Sequence, residues 1–391
     1  MLLLLSTALA NGQTTHVWIS RHALTHLPSG ELKELLLANE VQLVNGSMFP
    51  DGGYGFNPQH PYAETAHWEP FQSLYLDWIG LEHPAPFDLE GEKHVAFLMG
   101  MASHGMADQS FDALYMERSK VYDADAGWVS GVSMDEATDV WWAYITEPQV
   151  VPERWVPYAV FTELFAQVGI DASQDELEDG QKLLGLAIGL VGWLSESESA
   201  RDGYALDYPW ATGHLHDAVD VPGAPRCEGE LVALYWMELW ARLHGEWGPL
   251  PVLETLPNDG GFGLDTDASR VESRISIVFA RGLLDVGPEH FLVESEGEVL
   301  TVEPWLFYRD DSHIVHLIPQ EDWPLDAEIT VTVQPTLVDR YGLALSAPYA
   351  FTVSTSDPPE PEPEPEPEPR GCSHVPMAPW VWLPLLLCRR W

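Results

Sequence analysis

His104 and Asp108 lie four residues apart in the stretch GMASHGMADQSFD, and Asp112 follows after another four. On a helix this spacing stacks side chains one turn above the next, so an imidazole and two carboxylates share a face. Such a stripe makes a poor hydrophobic seam. It suits half of a metal site, because imidazole nitrogen and carboxylate oxygen are the donors that zinc-like cations take. A solvated helix face is the competing reading, so the other candidate donors matter. His16, His22 and His26 sit in HVWISRHALTH, Asp51 in the turn-rich NGSMFPDGGYGFNP, and His67 in ETAHW. Asp135 and Asp139 are again four apart in SMDEATD. His214 and His216, in GHLHDAVDVPGAP, have no partner spacing and read as surface residues.

The elements that must position these groups are mostly helical. Leu32, Leu35, Leu36 and Val41 recur at helical spacing, with Ser29 as a candidate N-cap. Residues 94–119, 153–168, 175–196 and 228–244 read as further helices. The apolar run KLLGLAIGLVGWL is too short to span a bilayer and is expected to be a buried core helix. Near Pro251 the texture changes. RISIVFARGLL, HFLVESEGEVLTV, SHIVHLIP, AEITVTVQPTL and YAFTVST alternate and are rich in β-branched residues, which predicts an all-β sandwich.

The expectation is therefore a multidomain chain: an all-α domain over residues 11–250, then a β-sandwich over 251–356. An alternating Pro/Glu linker over 357–370 should be extended and self-repelling. Residues 1–10, MLLLLSTALA, read as a signal peptide whose true start could lie upstream, and residues 371–391 as a C-terminal tail. Acidic residues number 61 against 18 basic, a formal net charge of −43. That field repels nucleic acid and suits multivalent cations, and no basic stripe relieves it, so no nucleic-acid partner is expected. Cys227, Cys372 and Cys388 cannot build a disulfide framework.

Taken in chain order, THVW, FPD, AHW, SHGMADQSFD and MDEATD resemble the motifs of the zinc-dependent phospholipase C family. The resemblance covers about residues 14–145 well and 146–248 loosely. It implies a helical domain holding two to three zinc ions, with His16, Asp51, His67, His104 and Asp108 as ligands. Asp51 would double as general base, and Asp108 would bridge two ions. The family pattern has histidine where this chain has Asp112, and a histidine–acid pair where it has Asp135 and Asp139. The second site would then be all carboxylate, suited to calcium, magnesium or manganese, or left empty.

The stretch from Asp339 resembles bacterial Ig-like domains, with Leu337, Asp339 and Gly342 matching a turn before the last strand. The tail from Gly371 resembles myxobacterial sorting signals, in which Cys372 would be processed and Arg389 and Arg390 would stop transfer. The function implied is a secreted or surface-tethered, outer-membrane-associated metal-dependent phosphodiesterase. It would hydrolyse phospholipid head groups in the manner of a phospholipase C, meeting the membrane through substrate and tail. The β part is expected to fold independently and take no part in chemistry. The alternatives are a catalytically weakened metal-binding or adhesion protein, and a nuclease of the same superfamily.

Overall fold

The computed structural model describes residues 12–56, 58–215, 221–308 and 311–358. The segments expected to be a signal peptide and a sorting tail, together with His216 and nearly all of the Pro/Glu run, lie outside the described residues.

Helices occupy the chain as far as Leu243, and strands follow. The first six are α1 (Gln13–His26), α2 (Glu31–Ala38), α3 (Glu40–Met48), α4 (Tyr62–His67), α5 (Glu69–Glu82) and α6 (Leu89–Ser110). Between α3 and α4 the segment Phe49–Gly55 coils into a tight 3₁₀ turn, and after α6 the chain widens into a π turn at Phe111–Met116. Then come α7 (Glu117–Tyr122), α8 (Gly131–Thr146), α9 (Tyr158–Gln167) and α10 (Gln174–Glu196). The last three helices are α11 (Glu198–Asp207), α12 (Pro209–His214) and α13 (Pro225–Leu243).

Two details differ from expectation. The residue capping α2 is Gly30, with no side-chain cap, so Ser29 does not play that part. Helix α10 is not a buried core helix, because Leu186 and Trp193 on it are 70% and 65% exposed. Its apolar run is split between a packed side, with Leu184 and Ile188, and an open one. Among the described residues no helix is long and apolar enough to cross a membrane.

The strands are β1 (Val252–Leu256), β2 (Ile275–Leu283), β3 (Phe291–Ser295), β4 (Glu298–Val299), β5 (Val302–Leu306), β6 (Ser312–Pro319), β7 (Glu328–Val333) and β8 (Tyr349–Ser354). They form two antiparallel sheets, ordered β1-β2-β6-β5 and β4-β3-β7-β8. Ile277, Phe279, Val315 and Leu317 of the first sheet share one core with Val293, Ile329, Val331 and Phe351 of the second. In β3, β7 and β8 the alternation read from the sequence is the inward face, whereas β2 is buried throughout and β6 nearly so, because Val278 and Ile314 on their other side join the helical core. Asp339 makes the turn before β8: its Oδ1 accepts from the backbone N–H groups of Tyr341 and Leu343, and Gly342 takes φ +78°.

The strands pack against the helices, and the chain through Asp357 is one compact unit. Buried Glu69, at the start of α5, is the hub of the seam. Its carboxylate accepts from Arg242 of α13 at 3.1 Å, from the Tyr341 hydroxyl at 3.0 Å and from the Gly282 N–H of β2 at 2.7 Å. Its own N–H donates to Asp311 at 2.8 Å. The Gln109 amide then brackets β6, donating to the Asp311 carbonyl at 3.0 Å and accepting from the His313 N–H at 2.8 Å. Polar groups buried without water must be satisfied, so such a lattice holds only when every member is in place.

Candidate metal centre

The backbones that carry the predicted donors meet more closely than side chains would allow. A Cβ on Gly100 of α6 would come within 2.1 Å of the Leu43 carbonyl oxygen of α3. One on Gly105 would come within 2.0 Å of the His67 carbonyl oxygen. Glycine at these two points lets α6 lie directly against α3 and the end of α4. The first approach puts the Ser47 carbonyl 2.7 Å from His104 Nδ1, and the second sets the His67 and His104 rings side by side.

His16, Asp51, His67, His104 and Asp108 therefore converge, and none is more than 3% exposed. Nε2 of His67 lies 3.0 Å from Nε2 of His104 and 3.0 Å from Asp51 Oδ1. His104 Nε2 is 3.2 Å from Asp108 Oδ2, and His16 Nε2 is 3.0 Å from Asp108 Oδ1. Asp51 also accepts from the Gln13 side-chain amide. The His16 and His104 rings stack with centroids 3.6 Å apart.

The outer nitrogens decide how to read this crowd. His67 Nδ1 lies 2.6 Å from the Ala63 carbonyl, and His104 Nδ1 2.7 Å from that of Ser47. A carbonyl can only accept, so each Nδ1 carries a proton and each Nε2 faces inward, where a neutral ring gives its lone pair to a cation. Both oxygens of Asp108 and both nitrogens of His16 are buried without a well-formed hydrogen bond. Lone pairs gathered at 3.0–3.5 Å separations match the edges of a coordination polyhedron. Donors about 2.0–2.1 Å from a shared zinc ion stand about 3.3 Å apart. The residues fit the metal that the resemblance implies.

Electrostatics agree. Burial pulls His104 down, but the carboxylates of Asp108 and Asp51 outweigh it and lift the ring to about 10. Burial would raise Asp51 and Asp108, yet the facing imidazoles hold both below the ordinary carboxylate range. His16 is depressed by burial and by the neighbouring His104. The centre calls for positive charge, which a metal ion supplies better than a proton does.

Not every predicted ligand joins. His104, Asp108 and His16 form one group whose donor atoms lie within 4.8 Å of one another, and Asp51, His67 and His104 a second. Among the described residues Asp112, Asp135 and Asp139 do not form such a group, so the expected all-carboxylate site is not assembled from these three. Asp139 is engaged elsewhere. Its Oδ1 accepts from the Thr14 hydroxyl and from the N–H and hydroxyl of Thr15, at 2.6–2.8 Å. It caps the start of α1, the helix that presents His16. Asp135 is buried one turn earlier on α8. Asp112 lies in the π turn, its Oδ2 taking a hydrogen bond from Tyr308, and burial lifts it to about 7. His22 and His26 face each other at 3.2 Å on the outer part of α1 and are not ligands here. His214 bonds the Trp210 carbonyl within its own helix.

Residues 15–111 match the family described as zinc dependent phospholipase C. That span contains all five converging donors and stops one residue before Asp112. Phosphatidylinositol-glycan-specific phospholipase D of Bos taurus is 37% identical over 115 residues, which is 27% of this chain and 14% of that protein. The Homo sapiens protein is 36% identical over 115 residues, again 14% of its length. The Dictyostelium discoideum protein is 25% identical over 176 residues, 42% of this chain and 19% of its own. The matched part is thus a small fraction of these relatives. The solved S-layer protein rSbsC(31-844) aligns over 84% of this chain and 46% of its own at 9% identity and a TM-score of 0.23, too slight a likeness to inform the fold.

Sequence reading missed Gln109, Tyr308 and Glu69. Gln109 sits beside a predicted ligand and Glu69 two residues after one, but nothing in their types or spacing marks them.

Proposed function

We propose that this chain is a zinc-dependent phosphodiesterase that hydrolyses phospholipids on the glycerol side of the phosphate, as a phospholipase C does, releasing the phosphorylated head group. One observation carries the reading: His16, Asp51, His67, His104 and Asp108 turn lone pairs toward a common buried point. Asp51, His67, His104 and one oxygen of Asp108 would hold one ion, and His16 with the other oxygen of Asp108 would contribute to a second. Bound there, zinc would polarise the phosphodiester and lower the pKa of a nearby water. The chain's own part is to orient both rings through the Ser47 and Ala63 carbonyls, to keep Asp51 and Asp108 ionised, and to bury the site. Asp51, at the head of a glycine-rich turn, is the group we assign to accept a proton from water.

We further propose that the protein is exported and surface-tethered, with the β part as an Ig-like module ahead of the acidic linker and tail. Nucleolytic activity is not part of the reading, since a net charge of −43 repels a polynucleotide. The occupation of Asp139 by Thr14 and Thr15 favours a second reading, a metal-binding protein with weakened catalysis.

The test is zinc content of the full chain together with turnover of phosphatidylcholine and phosphatidylinositol vesicles. Release of phosphorylated head group, abolished in His104→Gln, is the expected result. Phosphatidic acid as product would assign the opposite ester bond. Zinc uptake without turnover of either lipid would leave the second reading standing and overturn the first.

A further inference from the structure

Asp112 lies one turn beyond Asp108, next to the metal centre but outside its two donor groups. It is 5% exposed. One carboxylate oxygen, Oδ2, accepts from the Tyr308 hydroxyl, and the other, Oδ1, is buried with no hydrogen bond. Leaving a carboxylate oxygen buried and unsatisfied is costly, and it is tolerated where a cation completes its shell.

Tyr308 does not belong to the helical part. It follows β5, and its ring packs at 4.6 Å against Trp68, the residue after His67. Trp68 is fixed in turn by its indole N–H on Glu64, 2.8 Å away. The same stretch of strands grips the helix bearing the donors through Gln109 and the residue pair Asp311 and His313. Tyr308 and the start of β6 therefore reach both flanks of the centre, beside His67 and beside Asp108.

Building on the zinc phosphodiesterase reading, we infer that Tyr308 is a positioning residue of the metal centre. It holds Asp112 so that Oδ1 is offered as an additional ligand. The β part supplies a component of the site that the helical part lacks. A tyrosine hydroxyl on one carboxylate oxygen leaves the second oxygen as a monodentate donor in a fixed direction. Partners behind a ligand act in this way and commonly set metal affinity by about 10–100-fold.

Zinc chloride is titrated into chelator-treated full chain, with sites counted by native mass spectrometry and affinities read by competition with a chromophoric chelator. Tyr308→Phe removes only the hydroxyl and keeps the ring on Trp68. The variant should lose about tenfold or more in affinity at one zinc site and leave the others unchanged. Asp112→Asn should weaken the same site, and the double variant should lose no more than Asp112→Asn alone. A purely structural tyrosine would lower thermal stability, and its effect would add to that of Asp112→Asn. Zinc binding by Tyr308→Phe indistinguishable from wild type overturns the inference, as does additivity in the double variant. A wild-type chain that takes up no zinc overturns the phosphodiesterase reading and this inference with it. Zinc uptake by wild type with no effect of Tyr308→Phe sinks only the inference.

Discussion

His67 and His104 face each other Nε2 to Nε2 across 3.0 Å, each with its Nδ1 given to a backbone carbonyl. Two nitrogens in that pose need a positive charge between them, either a proton held on His104 or a cation shared by both rings. Replacing either with glutamine is expected to remove at least one zinc ion per chain, measured by elemental analysis of the purified protein. Unchanged zinc content in both folded variants would show that the rings do not bind metal.

The close approach at Gly105 offers a sharper probe. Gly105→Ala would push a methyl into the His67 backbone carbonyl, with the Gln72 side-chain amide only 2.9 Å away. We expect a loss of about 1–3 kcal/mol in unfolding free energy, and weaker zinc binding as the two rings separate. Gly203, exposed on α11 with nothing within 4 Å of an added Cβ, is the control. Gly203→Ala should stabilise by about 0.5–1 kcal/mol. Equal effects of the two changes would refute the close packing of these backbones.

Glu69 and Arg242 form an ion pair whose side chains are both fully inaccessible. Glu69→Ala strands the guanidinium and removes acceptors for Tyr341 and Gly282 as well. Urea denaturation should show a loss of about 3–5 kcal/mol. A change below about 1 kcal/mol would mean that the hub is dispensable.

His316, buried on β6 beside Arg274 and Arg118, gives the pH dependence. Burial first, then the two guanidiniums, lowers it to about 3. Between its ordinary value of 6.5 and that folded value, the unfolded chain binds a proton that the folded chain refuses. Stability from this group is complete above about pH 6.5 and declines as the pH falls toward 3, by up to about 1.4 kcal/mol per unit. His94, brought to about 4 by burial and His83, acts with the same sign. His316→Gln should flatten the fall in stability between pH 7 and pH 5 by about 2 kcal/mol. Parallel curves for variant and wild type would exclude His316 as a source of the slope.

Much of the centre was legible because each donor sits in a short local motif, and one-turn spacing paired His104 with Asp108 directly. The switch from helical to strand periodicity was equally plain, with β1 starting at Val252. What could not be read depends on docking between distant segments. Asp139 looks like a ligand beside Asp135, yet it caps a helix that lies 124 and 125 residues away along the chain. Tyr308 reaches Asp112 across 196 residues, and nothing in either neighbourhood announces the other. The apolar run of α10 misled for a different reason: composition shows that a helix is greasy, but not which of its sides finds a partner.

The bracket that Gln109 places around β6 bears on how this chain comes apart. The polar part of the seam has a short reach, and once a water layer parts it the groups hydrate, while Val278 and Ile314 lose their place in the helical core at the same moment. Helices and strands joined in this way should not peel away piecemeal on heating. Calorimetry should record one cooperative melting event for residues up to Asp357, and a protease that nicks the exposed turn after Leu243 should release no lasting, active half.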